Sequence, residues 1–281
     1  MHVFELKNVN YLYLDRIPAL NDINLSIEQG EQVAILGANG SGKSTLLKLF
    51  DGLIFPSSGV VKAFDRILTE NILDGDGGDF PQFFRKKVGL IFQNSEAQLF
   101  CPTVMDEIKF GPLQLDIPEK EINQRVNDVM EMLNIENLKD RAPYTLSGGE
   151  KKKVAIASVL SINPDVLLLD EPTNGLDPRT QRWLVELLLE LRKSGKTIII
   201  ATHDLGIVEE VSERAVVFSE DHHIVANGKA QEILNDTELL IKVNLIHEHS
   251  HRHNQILHKH SHVHSTEHDH KHGSEAITNP F

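Results

Sequence analysis

The chain has 281 residues, with 41 acidic against 28 basic side chains and a formal net charge of −13. A hydrophobic fraction of 40% is enough to bury a core, which excludes a chain that is disordered throughout. The acidic balance argues against nonspecific nucleic-acid binding, so we expect no nucleic-acid partner. The apolar runs fall far short of the roughly 20 residues of a membrane span, and the first residues show no secretory signal.

Short apolar runs alternate with amphipathic segments along the first part of the chain. The runs predict strands at Val33–Leu36, Val88–Phe92, Val166–Leu169, Thr197–Ala201 and Ala215–Phe218. Apolar residues at helical spacing predict helices at Ser44–Phe50, Glu121–Leu133 and Thr180–Arg192. Continuously apolar strands are typical of a sheet covered on both faces. The pattern therefore predicts an α/β fold with a mainly parallel core sheet.

Three other regions differ from this pattern. Val3–Val9 and Ile23–Ile27 alternate like antiparallel edge strands, while Asn71–Pro81, rich in Gly and Asp, predicts a mobile loop without an assigned role. Of the 15 histidines, 11 fall between His247 and His272. We therefore expect a flexible histidine-rich tail over 247–281, joined to the body by a short helix or linker over 236–246.

A glycine-rich segment stands between the first core strand and the helix after it. It fits the phosphate-loop pattern GxxxxGK[ST] in the strand–loop–helix context that this pattern requires. Glycines let backbone N–H groups approach phosphate oxygens, and the helix start adds partial positive charge. Lys43 supplies a cation for the outer phosphates and Ser44 a hydroxyl for Mg²⁺. The predicted cofactor-binding residues are Gly37, Asn39, Gly40, Ser41, Gly42, Lys43, Ser44 and Thr45.

Two carboxylates follow the apolar strand Val166–Leu169. Asp170 and Glu171 stand at its carboxyl end, the edge at which open α/β sheets bind ligands. We expect Asp170 to hold Mg²⁺ through its water shell. Glu171 is predicted to polarise the water that attacks the terminal phosphate.

The segment Leu146-Ser147-Gly148-Gly149-Glu150 completes a set of motifs. With the two motifs above, in this order, it resembles the signature of ABC-type ATPases over roughly Val3 to Leu234. The resemblance implies a P-loop NTPase with a RecA-like parallel-sheet core over residues 1–235. It further implies an N-terminal antiparallel β subdomain and an inserted α-helical subdomain at about 95–160. ATP and Mg²⁺ are the cofactors it implies, and ATP hydrolysis is the activity.

The resemblance also assigns individual residues. Gln93 matches the Q-loop glutamine, an expected Mg²⁺ ligand with Ser44 and Asp170. Asp177 in Asn174–Asp177 matches the D-loop, and His203 matches the switch histidine that orients water and Glu171. Glu171, His203 and Gln93 are thus the expected catalytic residues. Tyr13 matches the aromatic residue that stacks on adenine, with Tyr11 as the alternative.

In this family two ATPase domains pair head to tail around ATP. Ser147, Gly148 and Gly149 would then begin a helix that faces the phosphates bound by the other chain. Because this chain carries both halves of such a site, a homodimer would hold two complete sites. A heterodimer with a related ATPase stays open.

The stretches Gly89–Phe100, Cys101–Val104 and Phe110–Leu113 are similar to those of energy-coupling-factor importer ATPases, notably the cobalt and nickel branch. That similarity implies a membrane coupling subunit, a substrate-binding membrane subunit and a peripheral place on the cytoplasmic face of the cell membrane. Leu99, Phe100 and Val104 would face the coupling subunit, or else belong to the core.

The tail offers histidines at a spacing of two, which suits one face of a strand and also provides i, i+4 pairs on a helix. Either geometry presents imidazoles to a borderline metal ion such as Ni²⁺ or Co²⁺. The candidate ligands are His247, His249, His251, His253, His258, His260, His262 and His264.

The leading interpretation is the ATP-hydrolysing motor of a Co²⁺ or Ni²⁺ importer. Three alternatives remain. They are the motor of a vitamin or zinc importer, a soluble ABC protein of DNA repair or translation, and a metal-storage protein.

Overall fold

The computed structural model describes residues 1–75, 77–253 and 256–263, with side chains as far as residue 246. Its largest sheet has six strands, of which all but the first are parallel. In spatial order these are β10 (Ile224–Lys229), β9 (Arg214–Phe218), β3 (Gln32–Leu36), β8 (Thr197–Thr202), β7 (Val166–Asp170) and β6 (Val88–Ile91). The predicted parallel α/β core is confirmed.

Both faces of this sheet are buried, because successive residues of one strand belong to different hydrophobic cores. On β3, Ala34 and Leu36 join one core, whereas Val33 and Ile35 join the other. The same division holds along β7 and β8, which explains why these strands are apolar without interruption. Both cores include helical side chains, and the core with Val33 and Ile35 also includes residues of the first 30 positions, such as Phe4 and Ile23.

Ten helices occur among the described residues. They are α1 (Lys43–Phe50), α2 (Glu70–Asp74), α3 (Phe80–Lys87), α4 (Val104–Gln114), α5 (Glu119–Leu133), α6 (Gly148–Leu160), α7 (Pro178–Lys193), α8 (Leu205–Val211), α9 (Ala230–Leu234) and α10 (Thr237–Lys242). No helix of the described residues has both the length and the apolar character needed to cross a bilayer.

A second, antiparallel sheet is formed near the N-terminus. Its spatial order is β2 (Ile17–Glu28), β1 (His2–Tyr13), β4 (Ser58–Ala63) and β5 (Arg66–Ile67). Of the first two strands, β2 lies at an edge of this sheet and β1 lies inside it. The expectation of two edge strands is therefore wrong for β1, because β4 pairs along its other side.

The predicted mobile loop over Asn71–Pro81 is also wrong in part. Thr69 caps α2 by accepting a hydrogen bond from the backbone of Ile72, and Leu73 and Phe80 are buried. These apolar side chains pack into the core and order the segment, although its Gly and Asp content predicted a loop.

The predicted tail is described over 247–253 and 256–263, and its flexibility stays a prediction. Strands β11 (Ile246–His253) and β12 (Ile256–Val263) pair as an antiparallel hairpin. Histidines alternating with other residues have the period of a strand. His264 lies outside the described residues.

Candidate nucleotide-binding and hydrolysis site

Three core strands end at the same edge of the six-stranded sheet. After β3 comes the loop 37–42, after β7 comes Glu171, and after β8 comes His203. Because β8 lies between β3 and β7, their carboxyl ends bring these three segments together. The elements that the sequence placed far apart thus form one site.

The glycine-rich loop leads directly into α1. Gly42, at φ 109°, precedes the helix and provides no side-chain cap, so the first N–H groups of α1 remain available to an anion. Ser41 Oγ is buried and has no hydrogen-bond partner among the described residues. An orphaned hydroxyl and a free helix start fit a bound phosphate.

Lys43 is buried within this loop. Its Nζ donates to the carbonyls of Gly37 at 2.8 Å and Ala38 at 3.1 Å, and lies 3.4 Å from Glu171 Oε1. Burial lowers the pKa of Lys43, while the Glu171 and Asp170 carboxylates oppose that shift. The ammonium group is thus held where it can meet phosphate oxygens.

Ser44 and Asp170 form a pair of oxygen ligands. The Ser44 hydroxyl donates to Asp170 Oδ1 at 2.9 Å. Burial raises the pKa of Asp170, and the hydrogen bond from Ser44 opposes that shift. A hydroxyl beside a carboxylate suits Mg²⁺, which takes oxygen ligands, so the residues present fit the cation.

Glu171 is the most constrained carboxylate of the site. Its Oε2 lies 2.9 Å from His203 Nδ1 and accepts from Thr202 Oγ1 at 3.1 Å. Its backbone φ is +40°, an uncommon value for a residue with a side chain. Oε1 accepts no hydrogen bond and faces Lys43. The site therefore holds Glu171 in one orientation, with His203 beside it.

Tyr13 reaches the phosphate loop from β1. Its hydroxyl lies 3.2 Å from Thr45 Oγ1, and Tyr11 packs edge-on against its ring. Of the two tyrosines, Tyr13 is the one whose hydroxyl contacts Thr45 in the first turn of α1, beside the phosphate loop, which keeps it as the candidate for adenine contact.

The signature begins α6. Ser147 caps that helix through a capping box with Glu150, and both Ser147 and Gly148 are exposed. They line an open cavity of about 860 Å³ with Gly149, Asp177 and Thr180. No hydrogen bond of the described residues joins this segment to the phosphate loop.

Two further predicted residues lie apart from the cluster. Asp177 caps α7, accepting from the backbone of Arg179 and Thr180 and from the Thr180 hydroxyl. Gln93 is exposed and contacts α6 through its backbone carbonyl. Asn39 and Gly40 are exposed on the loop. The structure thus gathers Lys43, Ser44, Thr45, Asp170, Glu171 and His203, and leaves Gln93, Asp177 and the signature outside that group.

Sequence reasoning missed two neighbours of the site. Thr202 holds Glu171, and its position beside His203 was the available signal. His222 Nδ1 lies 3.2 Å from the Ser41 carbonyl oxygen. The two residues are 181 positions apart in the chain, so no local sequence pattern predicts this contact.

The family profile described as ABC transporter matches residues 20–174, more than half of the chain. The chain belongs to the ABC transporter ATP-binding family. It is an ATP-hydrolysing subunit of a transporter, and domains of this family work as dimers with membrane subunits.

Three similar proteins locate the chain within that family. A Methanosarcina acetivorans protein, whose name gives the ABC transporter ATP-binding family alone, is 58% identical over 96% of this chain and 98% of its own length. The nickel import ATP-binding protein NikO of Rhodobacter capsulatus is 46% identical over 86% of this chain and 95% of its own. The structure of cbiO1 from Clostridium perfringens, part of an ABC transporter complex, superposes with a TM-score of 0.72 at 40% identity, covering 87% of this chain and 95% of that one.

Proposed function

We propose that Glu171 is the general base of ATP hydrolysis and that His203 orients it. The contact between Glu171 Oε2 and His203 Nδ1, beside the buried Lys43, carries this assignment. Lys43 and the free N–H groups at the start of α1 would bind the outer phosphates. Ser44 and Asp170 would hold Mg²⁺, with Gln93 as a further ligand. When bound, Mg²⁺ neutralises phosphate charge and aligns the leaving group.

The signature would act on the partner's nucleotide. Ser147 and Gly148 are exposed and Gly149 is half-buried at this helix start, and none of them hydrogen-bonds to the phosphate loop of its own chain among the described residues. Such a helix start favours an anion, so a second chain's triphosphate would complete the arrangement. Asp177, adjoining Gly149 through Thr180, would lie at the same interface.

The transporter that this chain powers is proposed to import Ni²⁺ or Co²⁺. The identity to a nickel import ATP-binding protein is the observation that carries this proposal. A vitamin or zinc importer is the competing function. Energised membrane vesicles that contain the chain and its membrane partners should accumulate Ni²⁺ or Co²⁺ only with ATP, and accumulation of zinc or a vitamin instead would overturn the assignment.

A membrane coupling subunit is proposed to bind near the end of β6. Phe100 is 66% exposed and packs edge-on against the half-exposed Phe110, while Tyr144 is 84% exposed. Leu99 is partly buried against the core and borders the same surface. Val104, in contrast, is completely buried, so the expectation that it faces a partner is wrong. Attachment through this surface would place the chain peripherally at the cytoplasmic face.

The histidine-rich hairpin is proposed to bind Ni²⁺ or Co²⁺. The backbone register sets His247 opposite His262, His249 opposite His260 and His251 opposite His258. Residues two apart share one face of a strand, so these six positions fall on a common face. Paired imidazoles suit borderline divalent ions.

Calorimetric titration with Ni²⁺ alone tests this proposal on the full chain. Replacing His247, His249 and His251 by Asn should weaken binding. The matched control replaces Glu248, Ser250 and Arg252 by Asn. These three residues alternate with the histidines along β11. Equal Ni²⁺ binding by the native and the Asn-substituted chain would overturn it.

A further inference from the structure

Lys152 is a buried cation outside the cluster around Glu171. It lies four residues after Gly148 on α6, and only 2% of it is exposed. Its Nζ donates to the carbonyl of Phe92 at 3.2 Å and to that of Gln93 at 3.4 Å. Among the described residues, no carboxylate oxygen lies within 4.0 Å of this ammonium group. Its polar contacts are therefore directed at the loop that leaves β6.

A second side chain ties the same loop to the same helix. The backbone N–H of Phe92 donates to Gln98 Oε1 at 3.1 Å, and Gln98 Nε2 donates to the Ala155 carbonyl at 3.2 Å. Both backbone polar groups of Phe92 are thus fixed, one through Lys152 and the other through Gln98. Lys152 and Ala155 stand one turn apart on α6, so the loop is held at two levels of one helix.

A buried ammonium group is costly unless its donors are well used, because water solvates it strongly. Burial lowers the pKa of Lys152 to about 8, and the Asp170 carboxylate opposes that shift. A methionine of similar length would fill the space without this cost. Stability alone therefore does not require a lysine here, because an apolar side chain could fill the same space.

We propose that Lys152 is a positioning residue that fixes the backbone of Gln93 relative to the signature helix. The proposal rests on the proposed roles of Gln93 and of Ser147–Gly149. Lys152 is on the helix that begins with the signature, and it binds the residue whose side chain is assigned to Mg²⁺. One side chain therefore sets the spacing between the part that serves this chain's nucleotide and the part that serves the partner's.

Lys152→Met tests the inference, with Lys120→Met as the matched control. Lys120 is exposed on α5 of the same helical region and makes no hydrogen bond among the described residues. In the nucleotide-free full chain, amide exchange over residues 92–98 should quicken in Lys152→Met alone. The Mg²⁺ concentration for half-maximal hydrolysis should rise about tenfold, as is typical when a group that orients a metal ligand is removed, while ATP affinity without Mg²⁺ stays at the native value.

A folded Lys152→Met chain with native exchange and native Mg²⁺ dependence would overturn the inference. If Lys152→Met does not fold, Gln98→Leu decides, since it removes the second side chain that ties Phe92 to α6 and so loosens the same loop. Gln98→Leu should reproduce faster exchange and the higher Mg²⁺ requirement, and a native profile would overturn the inference. Gln93→Ala separates the proposed Mg²⁺ role of Gln93 from the positioning role of Lys152. Native Mg²⁺ dependence in Gln93→Ala rejects the proposed role of Gln93, whereas a defect there beside a native Lys152→Met rejects only the positioning role.

Discussion

Glu171 Oε2 lies 2.9 Å from His203 Nδ1, which joins the residue after β7 to the residue after β8. The same oxygen accepts from Thr202, so two groups from one strand end fix it. The other oxygen faces Lys43. In the proposed function, this carboxylate, held between a histidine and the phosphate-loop lysine, would act on a water near the terminal phosphate.

Glu171→Gln should keep ATP binding and slow hydrolysis by about 10²–10³, because the amide cannot take a proton but fills the same space. Single-turnover hydrolysis and equilibrium ATP binding measure the two effects. Glu190→Gln, at an exposed position on α7, is the control for the loss of one negative charge. A Glu171→Gln chain with native turnover would reject the base assignment.

His203→Ala should reduce kcat by about 10–100-fold with little change in ATP affinity, since it removes the group that orients Glu171. His2→Ala, at an exposed position, serves as the control and should behave as the native chain. Equal kcat in both variants would mean that the contact seen between Nδ1 and Oε2 has no catalytic consequence.

Two glycines should respond in opposite ways to alanine. A Cβ at Gly42 would lie 2.2 Å from the Ala19 carbonyl oxygen at φ +109°, so Gly42→Ala should destabilise the fold by about 2 kcal/mol or more. A Cβ at Gly148 meets nothing within 4 Å, so Gly148→Ala should unfold at the native temperature and yet lose hydrolysis. Thermal unfolding and steady-state ATPase assays compare them. Native activity in Gly148→Ala would argue against a partner's phosphates at the signature.

Asp51 gives a pH-dependent prediction. Burial raises the pKa of Asp51 from 3.8 to about 7, although Arg85 lies 3.9 Å away. A carboxyl whose pKa is raised by folding destabilises the folded chain progressively as the pH rises from about 4 to 7, and fully above that. Asp51→Asn should therefore raise the free energy of unfolding at pH 8, on the order of 3 kcal/mol, and much less at pH 4. Denaturant unfolding of both chains at the two pH values measures this gain. The same gain in unfolding free energy at pH 8 and pH 4 would contradict the prediction.

Phe100→Glu tests the proposed docking surface. Because Phe100 is largely exposed, the substitution should leave thermal stability and ATP binding unchanged while preventing co-purification with the membrane subunits. Val104→Glu is the contrasting variant and should unfold the chain, since Val104 is buried. Intact assembly with Phe100→Glu would move the docking surface elsewhere.

The sequence could predict Lys43, Ser44, Asp170, Glu171 and His203 together. The first four belong to motifs that follow two core strands, His203 was assigned by the resemblance to the ABC family, and parallel strands present their carboxyl ends at one edge. Such reasoning depends on local spacing and on the order of elements, both of which a single sequence contains.

The remaining features depend on contacts between distant residues. Lys152 meets Phe92 across 60 positions, and His222 meets Ser41 across 181. The helices α2 and α3 escaped prediction because Gly and Asp dominate the segment, while Leu73, Phe80 and Phe84 supply the buried contacts. Burial against another element is set by tertiary packing, which composition does not reveal.

The most direct test of the account is complementation between two inactive chains. Lys43→Ala removes the phosphate-loop cation, Ser147→Arg blocks the signature, and each variant alone should lack hydrolysis. A mixture forms some pairs in which the intact phosphate loop of the Ser147→Arg chain meets the intact signature of the Lys43→Ala chain. We predict that mixing restores measurable ATP hydrolysis, and a mixture as inactive as its components would contradict nucleotide shared between two copies of this chain.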